Sequence, residues 1–93
     1  MISLENLKIE KAKENDISSL IELYAQLDSD SKLTIKEAIE ILNRIKKYPN
    51  YSLYVAKFND KIVGAFELLI MDNFAHNGAK SGIIEDVVVD ISI

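Results

Sequence analysis

Two adjacent carboxylates, Glu85 and Asp86, open a stretch that is otherwise nearly all apolar. Carboxylates in such a place are candidates to hold a cation or to take a proton from one. In a regular strand, neighbours point to opposite faces, so the two cannot both aim directly at one proton. The plainer alternative is a pair of polar residues at a strand mouth. Asn73, Phe74 and His76 lie in a polar loop just before them. His76 could bind a phosphate or act as a base, and a surface-loop residue is the competing interpretation. Tyr48, Tyr51 and Tyr54 read as core and hairpin packing rather than as a ligand box.

Much chemistry is excluded by what the sequence lacks. It has no cysteine and a single histidine, so no disulfide framework and no Cys- or His-built zinc site can form. No spacing of carboxylates matches a calcium-binding loop, and no metal site is expected. The net charge of −4 speaks against a nucleic-acid partner. Arg44, Lys46 and Lys47 fall late in a predicted helix, where cations complement the dipole, and read as a solvated helix end. The longest apolar run, Leu68 to Met71, is far too short to cross a bilayer. No basic segment followed by an apolar run marks the start, so a cytoplasmic location is the default expectation. Glycines 64, 78 and 82 have no phosphate-loop spacing.

The elements that must position these residues form one α/β (α+β) domain over residues 1–93. Lys8 to Lys13 carries a weak alternation and predicts a short first strand. Asn15-Asp16 predicts an N-cap for a helix running to about Leu27. Its apolar face is Ile17, Leu20, Ile21, Tyr24 and Leu27. Asp28-Ser29-Asp30-Ser31 is a polar connection. Thr34 and Glu37 form a capping box for a second helix, whose stripe is Ile35, Ala38, Ile39, Leu42 and Ile45. Pro49 stops it. Tyr51 to Phe58, the turn dipeptide Asn59-Asp60 and Ile62 to Met71 predict a hairpin. Gly64 inside its second strand marks a bulge or a close backbone approach. A loop over Asp72 to Ser81 leads to a last strand, Gly82 to Ile93. There the run Val87-Val88-Val89 suggests burial on both faces.

The order strand, helix, helix, three-stranded antiparallel meander resembles the front half of the GNAT superfamily of N-acetyltransferases, the acyl-CoA N-acyltransferase fold. Three pieces carry the resemblance: IEKAKENDISSLIEL, YVAKFNDKIVGAFELLI and IEDVVVD. The last closely resembles the glucosamine-phosphate N-acetyltransferase branch. The likeness spans this sequence but little over half of the family's domain. The family's Gln/Arg-x-x-Gly-x-Gly/Ala loop, whose backbone N–H groups hold the coenzyme A pyrophosphate at a helix N-terminus, has no match here.

The resemblance implies an acetyl-CoA-dependent transfer to the primary amine of a small molecule, an amino sugar phosphate among the candidates. Glu85 and Asp86 would hold or deprotonate the amine. Main-chain groups of Val87, Val88 and Val89 would bind the acetyl thioester and pantetheine arm, and Asn73, Phe74 and His76 would border the acceptor. Without the pyrophosphate grip, acetyl-CoA is expected to bind weakly or not at all, and the chain is expected to be inactive alone. An apolar last strand with an open edge implies a homo-oligomer paired through it. Two other readings stay open: a non-catalytic, self-associating α/β interaction module, and the product of an early stop with no selected function.

Overall fold

The computed structural model describes residues 4–28, 30 and 32–92. Strand β1 spans Leu7–Lys11, helix α1 Ile17–Leu27, helix α2 Ile35–Ile45, β2 Tyr51–Phe58, β3 Lys61–Met71 and β4 Ser81–Val89. The four strands form one antiparallel sheet in the order β1-β2-β3-β4, so the chain meanders, with both helices inserted after the first strand. Of the predicted polar connection, Ser29 and Ser31 lie outside the described residues, as does Ile93.

The hairpin forms where the sequence places it. Asn59 and Asp60 both adopt positive φ, 50° and 66°, the two-residue turn that matches the twist of paired strands. The capping box of α2 is complete: the Glu37 N–H donates to Thr34 Oγ1 at 3.1 Å and the Thr34 N–H to Glu37 Oε1 at 3.0 Å.

Three boundaries differ from expectation. The first strand is Leu7–Lys11 rather than Lys8 to Lys13, because the Lys13 N–H leaves the sheet to bond Asp16 Oδ2 at 2.8 Å. That same bond commits Asp16 backwards, to a short 3₁₀ turn over Glu14–Asp16, so it does not cap α1 with its side chain. The last strand ends at Val89, not Ile93. Beyond it, the Ile91 N–H donates to Gln26 Oε1 at 2.9 Å and the Ser92 N–H to Asp90 Oδ1 at 2.9 Å. These bonds turn the chain onto α1.

Both helices pack on one face of the sheet. Ile17, Leu20, Ile21 and Leu23 of α1 and Ala38 and Leu42 of α2 bury against Val55, Ala65 and Val88. Those three sheet residues are register partners across β2, β3 and β4, a single apolar row under the helices. The apolar stripes predicted for the helices are largely the ones buried, but Leu27 and Ile35 at their ends stay exposed. On the opposite face Tyr54 and Phe66 stack with centroids 5.3 Å apart, and Ile9, Ile84 and Val89 are exposed. No helix among the described residues is long and apolar enough to cross a membrane.

One ionic knot ties β1 and β2 to the turn that precedes α1. Asp16, only 6% exposed, meets Lys57 Nζ at 3.1 Å, and Lys57 also meets Glu10 Oε1 at 2.8 Å. Removing one partner of a buried pair strands the other charge. Lys57→Met is expected to lower unfolding stability by about 2 kcal/mol, read from urea denaturation. A loss indistinguishable from that of an exposed lysine substitution would contradict this role.

Candidate active site

The site begins with an irregularity in β4. Ala65 pairs with Val88 and Glu67 with Glu85, so Phe66 alone faces both Asp86 and Val87. This is a β-bulge: one extra residue on β4, and Asp86 takes a left-handed φ of 50°. Aspartate tolerates that conformation better than most side chains. The Tyr24 hydroxyl, from α1, donates to the Asp86 carbonyl oxygen at 3.0 Å and pins the bulge to the helix layer.

A second irregularity lies beside it on β3. Ala56 pairs with Gly64 but Lys57 with Ile62, leaving Val63 as an extra residue. A Cβ on Gly64 would sit 3.1 Å from the Val88 carbonyl oxygen, so glycine is what lets the two backbones approach. Both features that the glycine suggested are therefore present.

The bulge breaks the strand's alternation. In a regular strand Asp86, two residues from the helix-facing Val88, would share its face, and Glu85 would face away from the helices. Asp86 stands with Glu67 on the helix side, at the wall of a cavity of about 320 Å³ between α1, α2 and the sheet, and the bulge brings Glu85 into register with Glu67. The expectation that Glu85 and Asp86 must serve opposite faces fails for this reason. Glu85, the register partner of Glu67, is exposed, and its negative charge still reaches Glu67 and Tyr51.

Glu67 is the group that sequence reasoning missed. It is half-buried, accepts a hydrogen bond from the Tyr51 hydroxyl at 2.9 Å, and stands beside the Asp86 carboxyl group. Burial pushes its carboxyl up from 4.5 to about 7; the Asp86 carboxyl beside it and the charge of Glu85 add to the rise, and the Tyr51 hydroxyl opposes it. Tyr51 is pushed up to about 12, by burial first and then by its bond to Glu67. Burial, followed by the Glu67 and Asp86 charges, raises Tyr24 as well. Both phenols therefore remain donors at neutral pH. A carboxyl that titrates near neutrality in a cavity is suited to exchange a proton with a bound base. The available signal was a lone charge inside the apolar run AFELLIM. Tyr24 and Tyr51 had no such signal, since their rings also pack.

The other expected site residues are placed as follows. Val88 is buried at 7% exposure, whereas Val87 and Val89 are each 57% exposed. Burial of this run on both faces is thus overturned, because only the helix side of the sheet is covered among the described residues. Asn73 bonds within its own loop, to the Ala79 carbonyl oxygen and to Ser81 Oγ. Phe74 and His76 are exposed, and none of these three residues lines the cavity. The described residues contain no group of three or more His, Asp or Glu side chains placed to hold a metal ion.

The backbone arrangement superposes on solved acetyltransferases. A Trypanosoma brucei acetyltransferase is 32% identical with a TM-score of 0.70, matching 92% of this chain and 61% of its own. Glucosamine-6-phosphate N-acetyltransferase from Arabidopsis thaliana is 31% identical with a TM-score of 0.75, matching 92% of this chain and 61% of its own. A chain from Agrobacterium tumefaciens str. C58 is 31% identical with a TM-score of 0.81, matching 91% and 60%. The chain has the fold of the front part of a GNAT acetyltransferase. It spans about three-fifths of the length of these relatives. No family model matches the sequence. Within this GNAT frame, the bulged strand is the one carrying IEDVVVD.

The raised Glu67 carboxyl has a thermodynamic consequence. The folded state keeps the proton up to about 7, while the unfolded chain releases it near 4.5. Between those values the unfolded state binds fewer protons, so this group's contribution to stability falls as pH rises through the window. The urea midpoint of wild type relative to Glu67→Gln is expected to fall between about pH 5 and about pH 8. A constant difference between the two proteins over that range would contradict the assignment.

Proposed function

We propose that this chain forms the acceptor- and thioester-facing part of an N-acetyltransferase, acting on the primary amine of a small molecule with acetyl-CoA as donor. The observation that carries this reading is the Glu67–Asp86 carboxyl pair at the β4 bulge, in a fold shared with acetyltransferases. An ammonium must lose a proton before its nitrogen can act as a nucleophile, and a carboxylate titrating near neutral pH can accept it. Asp86 and Glu85 keep the local field negative, which favours approach of the cation. Tyr51 and Tyr24 hold Glu67 and the Asp86 backbone in place.

Acetyl-CoA, when bound, supplies the acetyl group as a thioester. The residues present suit part of it. β4 is an edge strand among the described residues, and Val87 and Val89 are exposed, so its outer backbone groups can bond an extended amide-bearing arm as another strand would. The diphosphate is not matched: the α2 N-terminus is closed by its own Thr34–Glu37 capping box, and no glycine loop precedes either helix. These 93 residues by themselves are therefore proposed to hold the cofactor weakly and to turn over slowly or not at all. Neither Asn73, Phe74 nor His76 gains support from its placement, and their role at the acceptor remains a proposal from resemblance alone.

A second reading has one observation in its favour. The exposed apolar groups of β4, Ile83, Ile84, Val87 and Val89, lie on a strand that is an edge among the described residues, which suits a self-associating, non-catalytic module. The two readings part in one set of amide NMR spectra. The acetyltransferase reading expects acetyl-CoA to shift the amides of residues 86–89 with millimolar rather than micromolar affinity. The module reading expects the same amides to shift on dilution and to ignore acetyl-CoA. Micromolar affinity would overturn the weak-binding proposal, and no response to acetyl-CoA at any concentration would overturn the cofactor assignment.

A further inference from the structure

The cavity behind Glu67 and Asp86 has a chemistry of its own. Its walls come from α1, α2 and β2, and they are almost wholly aliphatic: Leu20, Ile21, Ile41, Leu42 and Leu53 face a space of about 320 Å³. At roughly 30 Å³ for each water-sized group, this admits on the order of ten non-hydrogen atoms. Three charged side chains line it, Asp28, Glu67 and Asp86, and all are acidic. No lysine, arginine or histidine is among the described residues that line it.

Phosphate recognition needs cationic donors or clustered backbone N–H groups, and a wall of carboxylates repels a dianion. A sugar needs many hydrogen-bond partners, which aliphatic walls do not supply, so burying its hydroxyls there is costly. An alkyl or aryl group gains from the same walls, at about 25 cal/mol for each Å² removed from water. A cationic end beside Glu67 and Asp86 satisfies two of the three carboxylates that line the cavity.

We propose that the acceptor is a small primary amine with an apolar body and no phosphate, the body lying between α1 and α2 and the ammonium against Glu67 and Asp86. The word acceptor rests on the acetyltransferase reading; the binding of such an amine does not. This sets the chain apart from a sugar-phosphate specificity, which the resemblance of IEDVVVD to the glucosamine-phosphate branch would have implied. The fold is shared with a member of that branch, and the specificity is argued from the cavity walls of this chain.

The test uses the full chain and calorimetric or ligand-observed NMR titration with n-hexylamine, n-hexanol and glucosamine 6-phosphate. n-Hexylamine is expected to saturate one site, n-hexanol to bind at least about tenfold more weakly, and glucosamine 6-phosphate not to bind. Ile41→Trp, which fills the cavity from a half-buried position, is expected to abolish n-hexylamine binding. Because the ligand series needs no variant, a failure of Ile41→Trp to fold does not remove the test. Equal binding of n-hexanol and n-hexylamine would overturn the role of the carboxylates. Tighter binding of glucosamine 6-phosphate, or no binding of the amine, would overturn the proposal as a whole. If the amine fails to bind while acetyl-CoA still shifts β4, this inference falls and the acetyltransferase reading stands. If the amine binds while acetyl-CoA has no effect, the site stands and that reading falls.

Discussion

One surplus residue in β4 decides what this sheet can do. Antiparallel pairing turns alternate side chains to opposite faces, so a strand without the bulge, continuing from the helix-facing Val88, would send Glu85 away from the helices. The two-for-one pairing of Asp86 and Val87 against Phe66 brings Glu85 instead into register with Glu67, next to Asp86, so that three carboxyl groups meet at one place. A left-handed residue and a broken ladder are unfavourable in themselves. They persist because the neighbours fix them: the Tyr24 hydroxyl takes the freed carbonyl, and Gly64 makes room for the β4 backbone. Helix α1 thereby does two jobs. Its leucines and isoleucines bury the Val55–Ala65–Val88 row, and its tyrosine fixes the strand that carries the carboxylate.

The arrangement opposes stability where it serves chemistry. A carboxyl held beside another carboxylate, partly out of water, is unfavourable in its charged form. The cavity next to it forgoes dispersion contacts that a filled core would have made. Both costs fall at one place, opposite Leu53 of β2, whereas the ionic knot of Lys57, Asp16 and Glu10 is centred on Lys57 of the same strand. Stability therefore comes from the apolar row, the hairpin and the knot, while the Glu67 end is left with unfavourable electrostatics and open space. That division is common at sites where a ligand's own groups supply the missing contacts.

Most of the fold was legible in local signals. Asn59-Asp60 demanded a two-residue turn, Thr34 and Glu37 a capped helix start, and Pro49 an interruption, since each reports on the backbone of its own neighbourhood. The boundaries that moved, at Lys13 and at Val89, are set by side chains reaching the backbone, Asp16 in one case and Gln26 and Asp90 in the other. Of the site, Asp86 was named, but for a strand with regular alternation. Glu67 was passed over because a strand rich in Leu, Ile and Phe reads as core, and its partner lies on β4. The convergence of Glu67 with Asp86 depends on register, and register across a bulge is a property of two strands together rather than of either sequence.

The central claim is that burial, together with the Asp86 and Glu85 carboxylates gathered at the bulge, makes Glu67 a proton carrier near neutral pH. The most direct measurement is a titration of the Glu67 side-chain carboxyl by ¹³C NMR in the intact chain. The account predicts a midpoint near 7, well above the ordinary 4.5. A midpoint at the ordinary value would show that Glu67 is solvated and unpaired with Asp86, and would contradict the site as described.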